Sequence, residues 1–140
     1  MFGDYQIQQI RLLPMSRKDE FGCPTEEAAR AFLAGELSED GVYVYEQKGL
    51  NIKDQDALIL FQYNGGVIGY GVFRFRNYAE GYQQFYPESV HNTERISSVE
   101  LKAVCPDFNR FGQDMKKLDI ACLEPLSVLL KVKQAVYDAG

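Results

Sequence analysis

The stretch ALILFQY-NGG-VIGYGVFRF, residues 57–75, constrains what this chain can fold into more than any other. Two runs rich in branched and aromatic side chains flank Asn64, Gly65 and Gly66, residue types that accept the positive φ angles of a tight hairpin turn. The sequence therefore predicts an antiparallel pair, 57–63 with 67–75. Side chains alternate across a strand, so Phe61 and Tyr63 share one face while Leu58, Leu60 and Gln62 share the other. One set belongs to the core, and the other is available to a ligand or a covering helix. Gly69 and Gly71, two apart on the return strand, leave one face bare, so a helix, a crossing strand or a ligand comes close there.

Other elements arrange themselves around this hairpin. Residues 5–13 read as a first strand ending at Pro14. Pro24 and Thr25 open a helix with Glu26 and Glu27 in its positive first turn, and Ala29, Phe32, Leu33 and Leu37 mark its buried face. Residues 42–46 read as a short strand, 77–88 as a long polar and aromatic loop, and 90–96 as another strand. Ser97 and Glu100 have capping-box spacing ahead of a short helix that Pro106 stops. A last helix starts near Pro125, with Leu126, Leu129, Leu130, Val136 and Tyr137 expected on one face.

With 140 residues, 46% of them hydrophobic, the chain suffices for one core, and a single domain over 1–140 is expected. Apolar runs such as 57–61 are far shorter than a membrane span needs, and the N-terminus lacks a signal-peptide pattern. A cytoplasmic protein without membrane association is the expectation. Cys23, Cys105 and Cys122 are widely spaced, form no CxxC pair, and read as buried free thiols too far apart to join. The net charge of −5 argues against a protein that grips long stretches of phosphate backbone. The deficit is local: residues 1–56 carry 6 basic and 11 acidic side chains, and residues 57–140 carry 9 of each. Any polyanion should meet the second part.

No sequence signature of catalysis appears. The single histidine, His91, has no Ser, Cys or carboxylate at triad or metal-site spacing and reads as a surface imidazole. No phosphate-cradling glycine motif is present. These absences predict a non-enzyme without metal or cofactor. Aromatic residues are the more informative class, with 9 Tyr and 9 Phe but no Trp. Tyr43, Tyr45, Tyr63, Tyr70, Tyr78, Tyr82 and Tyr86 concentrate in the β-rich middle, where they suit either core and interface packing or the walls of a pocket for a planar ring.

Two stretches carry a family resemblance. KGLNIKDQDALILFQYNGGVIGYGVF, residues 48–73, resembles the central hairpin of EVE and YTH-like domains of the PUA-like superfamily. VELKAVCPDFNRFGQDMKKLD, residues 99–119, resembles a segment of the related domains attached to modification-dependent restriction nucleases. The order strand, helix, strand, hairpin, strand, helix fits a PUA-like plan independently of these words. The resemblance implies an α+β fold: a strongly curved sheet or open barrel with two or three covering helices. It further implies a nucleic-acid partner, DNA or RNA, whose flipped and often methylated base enters an aromatic cage. Lacking Trp, such a cage here depends on Tyr and Phe.

Tyr45, Phe61, Tyr63 and Tyr70 are the candidate walls, and Arg74, Arg76, Arg95, Arg110, Lys116 and Lys117 the candidate phosphate contacts. A free-standing reader would serve a protein partner in trans. The competing reading is a protein-interaction or adaptor domain of a phage or defence system, with a tyrosine-rich interface and an acidic first third. An enclosed aromatic pocket with a basic rim would favour the reader, and a flat tyrosine patch on an acidic surface the adaptor.

Overall fold

The computed structural model describes residues 2–15, 23–44, 56–74 and 82–140. In chain order these form β1 (Ile7–Pro14), α1 (Glu26–Phe32), a π-helical turn (Leu33–Leu37), α2 (Ser38–Asp40), β2 (Val42–Val44), β3 (Asp56–Gln62) and β4 (Val67–Arg74). There follow β5 (Tyr82–Phe85), a 3-10 turn (Pro87–Ser89), β6 (His91–Ile96), α3 (Ser98–Val104), β7 (Lys116–Leu118), a second 3-10 turn (Ile120–Cys122) and α4 (Leu123–Ala139). The described strands make one sheet, in the order β2-β5-β4-β3-β1-β7, with β6 also paired to β4. Only β1 and β3 run parallel; the other pairings are antiparallel. This is the α+β architecture expected from the sequence: an open sheet with covering helices.

The hairpin stands as expected, with β3 paired to β4 from Asp56↔Arg74 to Gln62↔Val67. Its turn places Asn64 at φ 47° and Gly65 at φ 78°, and Tyr63 N–H donates to the Gly66 carbonyl at 2.9 Å. Phe75 lies outside the described residues. Both faces of β3 are covered. Ala57, Ile59, Phe61 and Tyr63 pack with Ala29, Leu33 and Leu37 of α1 and the π-helical turn. Leu58 and Leu60 pack with Leu101 of α3 and with Leu126 and Leu130 of α4. A fully buried Leu or Phe contributes ~1.5–3 kcal/mol relative to exposure, so β3 holds both layers of helices to the sheet.

The first helix follows its sequence signals. Thr25 caps it by accepting from Ala28 N–H at 3.1 Å, and Glu26 pairs with Arg30 one turn on. Arg30 then does something the sequence did not announce. Ile68 is an extra residue of β4, opposite no partner on β3, and the pairing with β6 is irregular at the same place. The Arg30 guanidinium donates to the carbonyls of Ile68 at 3.2 Å and Thr93 at 2.7 Å, while Asn92 donates back to the Arg30 carbonyl at 3.1 Å. A buried carbonyl left unpaired costs about 1–3 kcal/mol, so α1 plugs the bulge that would otherwise weaken the sheet.

The bare face of Gly69 and Gly71 is occupied by protein. A Cβ on Gly69 would lie 2.7 Å from both the His91 carbonyl and a Leu33 methyl, and one on Gly71 would lie 3.0 Å from Val90.

Three readings of the sequence differ from the structure. Two strands, β5 and β7, were not predicted, since YQQF lacks apolar alternation and KKL is only three residues long. On α4, Leu126 and Leu130 are buried, but Val136 is 46% exposed. At ~100° per residue Val136 is turned about 120° from Leu130, off the packed face. Finally, Cys105 and Cys122, expected far apart, have Sγ atoms 2.6 Å apart, because β7 returns the chain from the end of α3 to the start of α4. Burial pushes both thiols above their ordinary range, so they are protonated and slow to react at neutral pH.

Two outcomes follow from this packing. Gly69→Val is expected to lose about 1–3 kcal/mol of stability in urea denaturation by overpacking, whereas Gly3→Ala, with nothing within 4 Å, leaves it unchanged. A thiol oxidant such as diamide should slowly join Cys105 to Cys122, its two hydrogens passing to the reagent. Intact mass should fall by about 2 Da, reversibly with dithiothreitol, and Cys122→Ala should abolish the change.

A candidate aromatic cleft

Tyr70 and His91 face each other across the antiparallel register of β4 and β6, and their rings stand 5.5 Å apart. Tyr70 is 2% exposed and belongs to the α4 side of the sheet. Its hydroxyl donates to Gln134 Oε1 on α4. The segment preceding β1 turns back on itself, Tyr5 N–H donating to the Phe2 carbonyl at 3.1 Å. That turn sets Phe2 edge-on against Tyr70, with ring centroids 5.8 Å apart, and Tyr5 against Tyr86 at 4.8 Å. The Tyr5 hydroxyl donates to Glu88 Oε2 at 2.6 Å. On α4, Lys131, Gln134, Ala135 and Asp138 recur at one-face spacing.

Together these residues bound a cleft of ≈ 440 Å³, within the usual range for a small-molecule site. Phe2, Tyr5, Tyr70 and His91 supply rings, while Asp4, Glu88 and Asp138 supply carboxylates against one ammonium, Lys131. Burial, reinforced by Asp138, pushes the Tyr70 phenol well above its ordinary value. Burial, then the bond and charge of Glu88, does the same for Tyr5. The cleft is aromatic and open to solvent, and its described rim is acidic, a combination neither competing reading anticipated in full.

The expected site residues are not gathered in one place. Tyr70 lines the cleft. Phe61 and Tyr63 lie on the opposite face of the sheet, 0% and 2% exposed. Phe61 packs on Phe85 with centroids 5.5 Å apart, and Tyr63 donates to the Cys23 carbonyl at 3.1 Å, so both serve the core beneath α1. Tyr45 and Arg76 lie outside the described residues. Arg74, at the end of β4, stacks its guanidinium over Tyr86 at 5.4 Å. Arg95 is engaged by Glu26 at 2.7 Å and by the Asn64 carbonyl. Arg110 and Lys117 are exposed near the β7 edge, and Lys116 donates to the Arg110 carbonyl at 2.9 Å. None of the described cations among them lines the cleft.

The sequence does not single out Phe2, and it reads Tyr5 as the start of the first strand and His91 as a surface imidazole, whereas His91 is half-buried against Tyr70. Phe2 precedes any periodic pattern, Tyr5 stands ahead of β1, which begins at Ile7, and His91 shows no chemical partner in sequence because its neighbour is a ring on another strand. Among the described residues, no three His, Cys, Asp or Glu side chains stand together to hold a metal ion, and no helix is long and apolar enough to cross a membrane.

The raised phenol of Tyr70 has a consequence for stability. Its proton is held more tightly in the folded than in the unfolded chain, so this contribution is complete below the unfolded value of about 10 and is lost as pH rises beyond it. Urea denaturation from pH 8 to 11 should show stability falling above pH ~10, and Tyr70→Phe should fall less steeply.

No protein-family model and no curated protein matches the sequence. Among solved structures, the chain superposes on the YTH domain of the Zygosaccharomyces rouxii MRB1 protein, crystallised in complex with N6-methyladenosine RNA. The TM-score is 0.54 over 91% of this chain and 95% of that one, at 10% sequence identity. At so low an identity the likeness is one of architecture, and nearly the whole of this chain has the fold of a YTH domain.

Proposed function

We propose that this chain is a non-catalytic nucleic-acid reader that takes a single base, modified or unmodified, into an aromatic pocket. The observation that carries this reading is the chain-long likeness to a YTH domain crystallised with methylated RNA. The cleft walled by Phe2, Tyr5, Tyr70 and His91 supports it, since base stacking on an aromatic side chain contributes ~1–3 kcal/mol and every base has a π-face. A flipped base needs only a small backbone footprint, which accords with the net charge of −5. The exposed Arg110 and Lys117, with Lys116, are the proposed phosphate contacts. On this reading the module acts in the cytoplasm and lends base recognition in trans to a partner, such as a modification-dependent nuclease.

The adaptor reading has one feature in its favour. Val128, Val132 and Val136 form a stripe along α4 with exposures of 62%, 54% and 46%, more apolar surface than a helix turned wholly to solvent ordinarily carries.

Titration of short single-stranded RNA and DNA, with and without methylated bases, separates the two. The reader should bind a modified oligonucleotide in low salt. Phe2→Ala should weaken that binding roughly 5- to 150-fold in protein that circular dichroism shows to be folded at the titration temperature, and Arg110→Ala should weaken all sequences alike and flatten the salt dependence. Absence of binding at ~100 μM, weaker than ordinary non-specific affinity, would reject the reader and favour the adaptor.

A further inference from the structure

The walls and the rim of the cleft place opposite demands on a neutral ligand. Four rings, Phe2, Tyr5, Tyr70 and His91, favour a flat guest. Yet of the Asp, Glu, Lys and Arg side chains among the described lining residues, three are carboxylates and one is an ammonium. Among the described residues, Asp4 and Asp138 take no hydrogen bond or ion pair that would neutralise their charge. Glu88 accepts, among the described residues, from the Tyr5 hydroxyl, a neutral donor that fixes the carboxylate without cancelling its charge. The same carboxylates help hold the Tyr5 and Tyr70 phenols in their neutral form, so their field reaches the walls themselves.

A neutral base entering such a cleft gains stacking but brings its phosphates toward like charges. A base carrying positive charge on its ring gains from both components. The electron-rich faces of Phe and Tyr attract a cation that lies over them, and carboxylates nearby add Coulomb attraction that water screens less inside a cleft than outside. Lys131, exposed and on the α4 side, is the only described cation that opposes this.

We infer that the guest of this cleft is a ring-cationic N-methylated base, such as N7-methylguanine or N1-methyladenine, recognised through the aromatic walls of Phe2, Tyr5 and Tyr70 together with Asp4, Glu88 and Asp138. This rests on the reader function proposed above and names its ligand class. The phosphate contacts proposed on the β7 edge would then serve neighbouring nucleotides of the strand.

The two methyladenosines test the charge cleanly, because N1- and N6-methyladenosine are isomers of equal size and only the first is cationic at neutral pH. Calorimetric titration of the full chain with each nucleoside, and with N7-methylguanosine against guanosine, should show the cationic member bound at least about tenfold more tightly, a preference that declines with added salt. Asp138→Asn, an exposed change in the last turn of α4, should reduce that preference several-fold, toward equal affinity for the two isomers, while the protein stays folded. Equal affinity, or preference for N6-methyladenosine, would overturn the cationic assignment and leave the reader function standing. Failure of every nucleoside, combined with failure of the oligonucleotides, would remove the reader function itself. Tighter binding of a trimethyl-lysine peptide than of any nucleoside would likewise overturn the assignment to a base.

Discussion

The edge of β4 that faces away from β3 is shared by two strands, β6 along its first half and β5 along its last two residues, and the site side of the molecule follows from how that division is managed. Between the two partners, Val72 would have nothing to pair with. The Ser89 hydroxyl accepts from Val72 N–H at 2.8 Å, and the Val72 carbonyl accepts from Tyr86 N–H at 2.9 Å, so the 3-10 turn at Pro87–Ser89 completes the ladder where no strand can. At the other end of β4 the irregular pairing at Ile68 is filled by Arg30. Neither repair is available from a strand, and both require a segment remote in sequence to be docked first.

These repairs also fix the cleft. Holding the turn beside Val72 places Glu88 against Tyr5, and holding the β4–β6 register places His91 beside Tyr70. The floor of the cleft is therefore as rigid as the sheet. Its other walls, the N-terminal turn and the last turns of α4, are held by several contacts, Phe2 on Tyr70, Tyr5 on Tyr86 and Glu88, Gln134 on Tyr70, and Lys133 on Glu94 and Glu100. A site built in this way can hold a ring between walls fixed by the sheet and by α4, with specificity set by the charges at its mouth.

Division of labour between faces is the second consequence. The side of the sheet beneath α1 is filled by Phe61, Tyr63, Phe73 and Phe85, with Phe61 and Phe85 packed over Gly71 while Leu33 covers Gly69. The α4 side is packed at its centre by Leu58, Leu60, Leu126 and Leu130, but is left incomplete beside β6, where Tyr70 meets polar side chains in place of apolar ones. The cleft is thus the unfilled margin of the second core, and this accounts for its mixed aromatic and charged lining. The basic residues of the β7 edge belong to a different margin of the same sheet, beyond β1.

Local chemistry was legible wherever a feature is complete within a few residues. The Asn64-Gly65 turn, the Thr25 cap, the Ser97–Glu100 capping box and the alternation along β3 each depend on neighbours in sequence, and each is found where its residues predict it. The open α+β plan followed from those elements and from the resemblance their residues carry. What the residues could not express is which of two equivalent faces a ring occupies, because alternation fixes only that Phe61 and Tyr63 are together, and the placement of α1 decides that they are core. The approach of Cys105 to Cys122, the plug of Arg30, the strand formed by YQQF and the meeting of Phe2, Tyr5, Tyr70 and His91 all arise from contacts between segments far apart in the chain. Sequence determined the elements, since backbone preference and periodicity act over one or two turns. Tertiary structure alone decided the site, since a cleft is made by what long-range packing leaves unfilled.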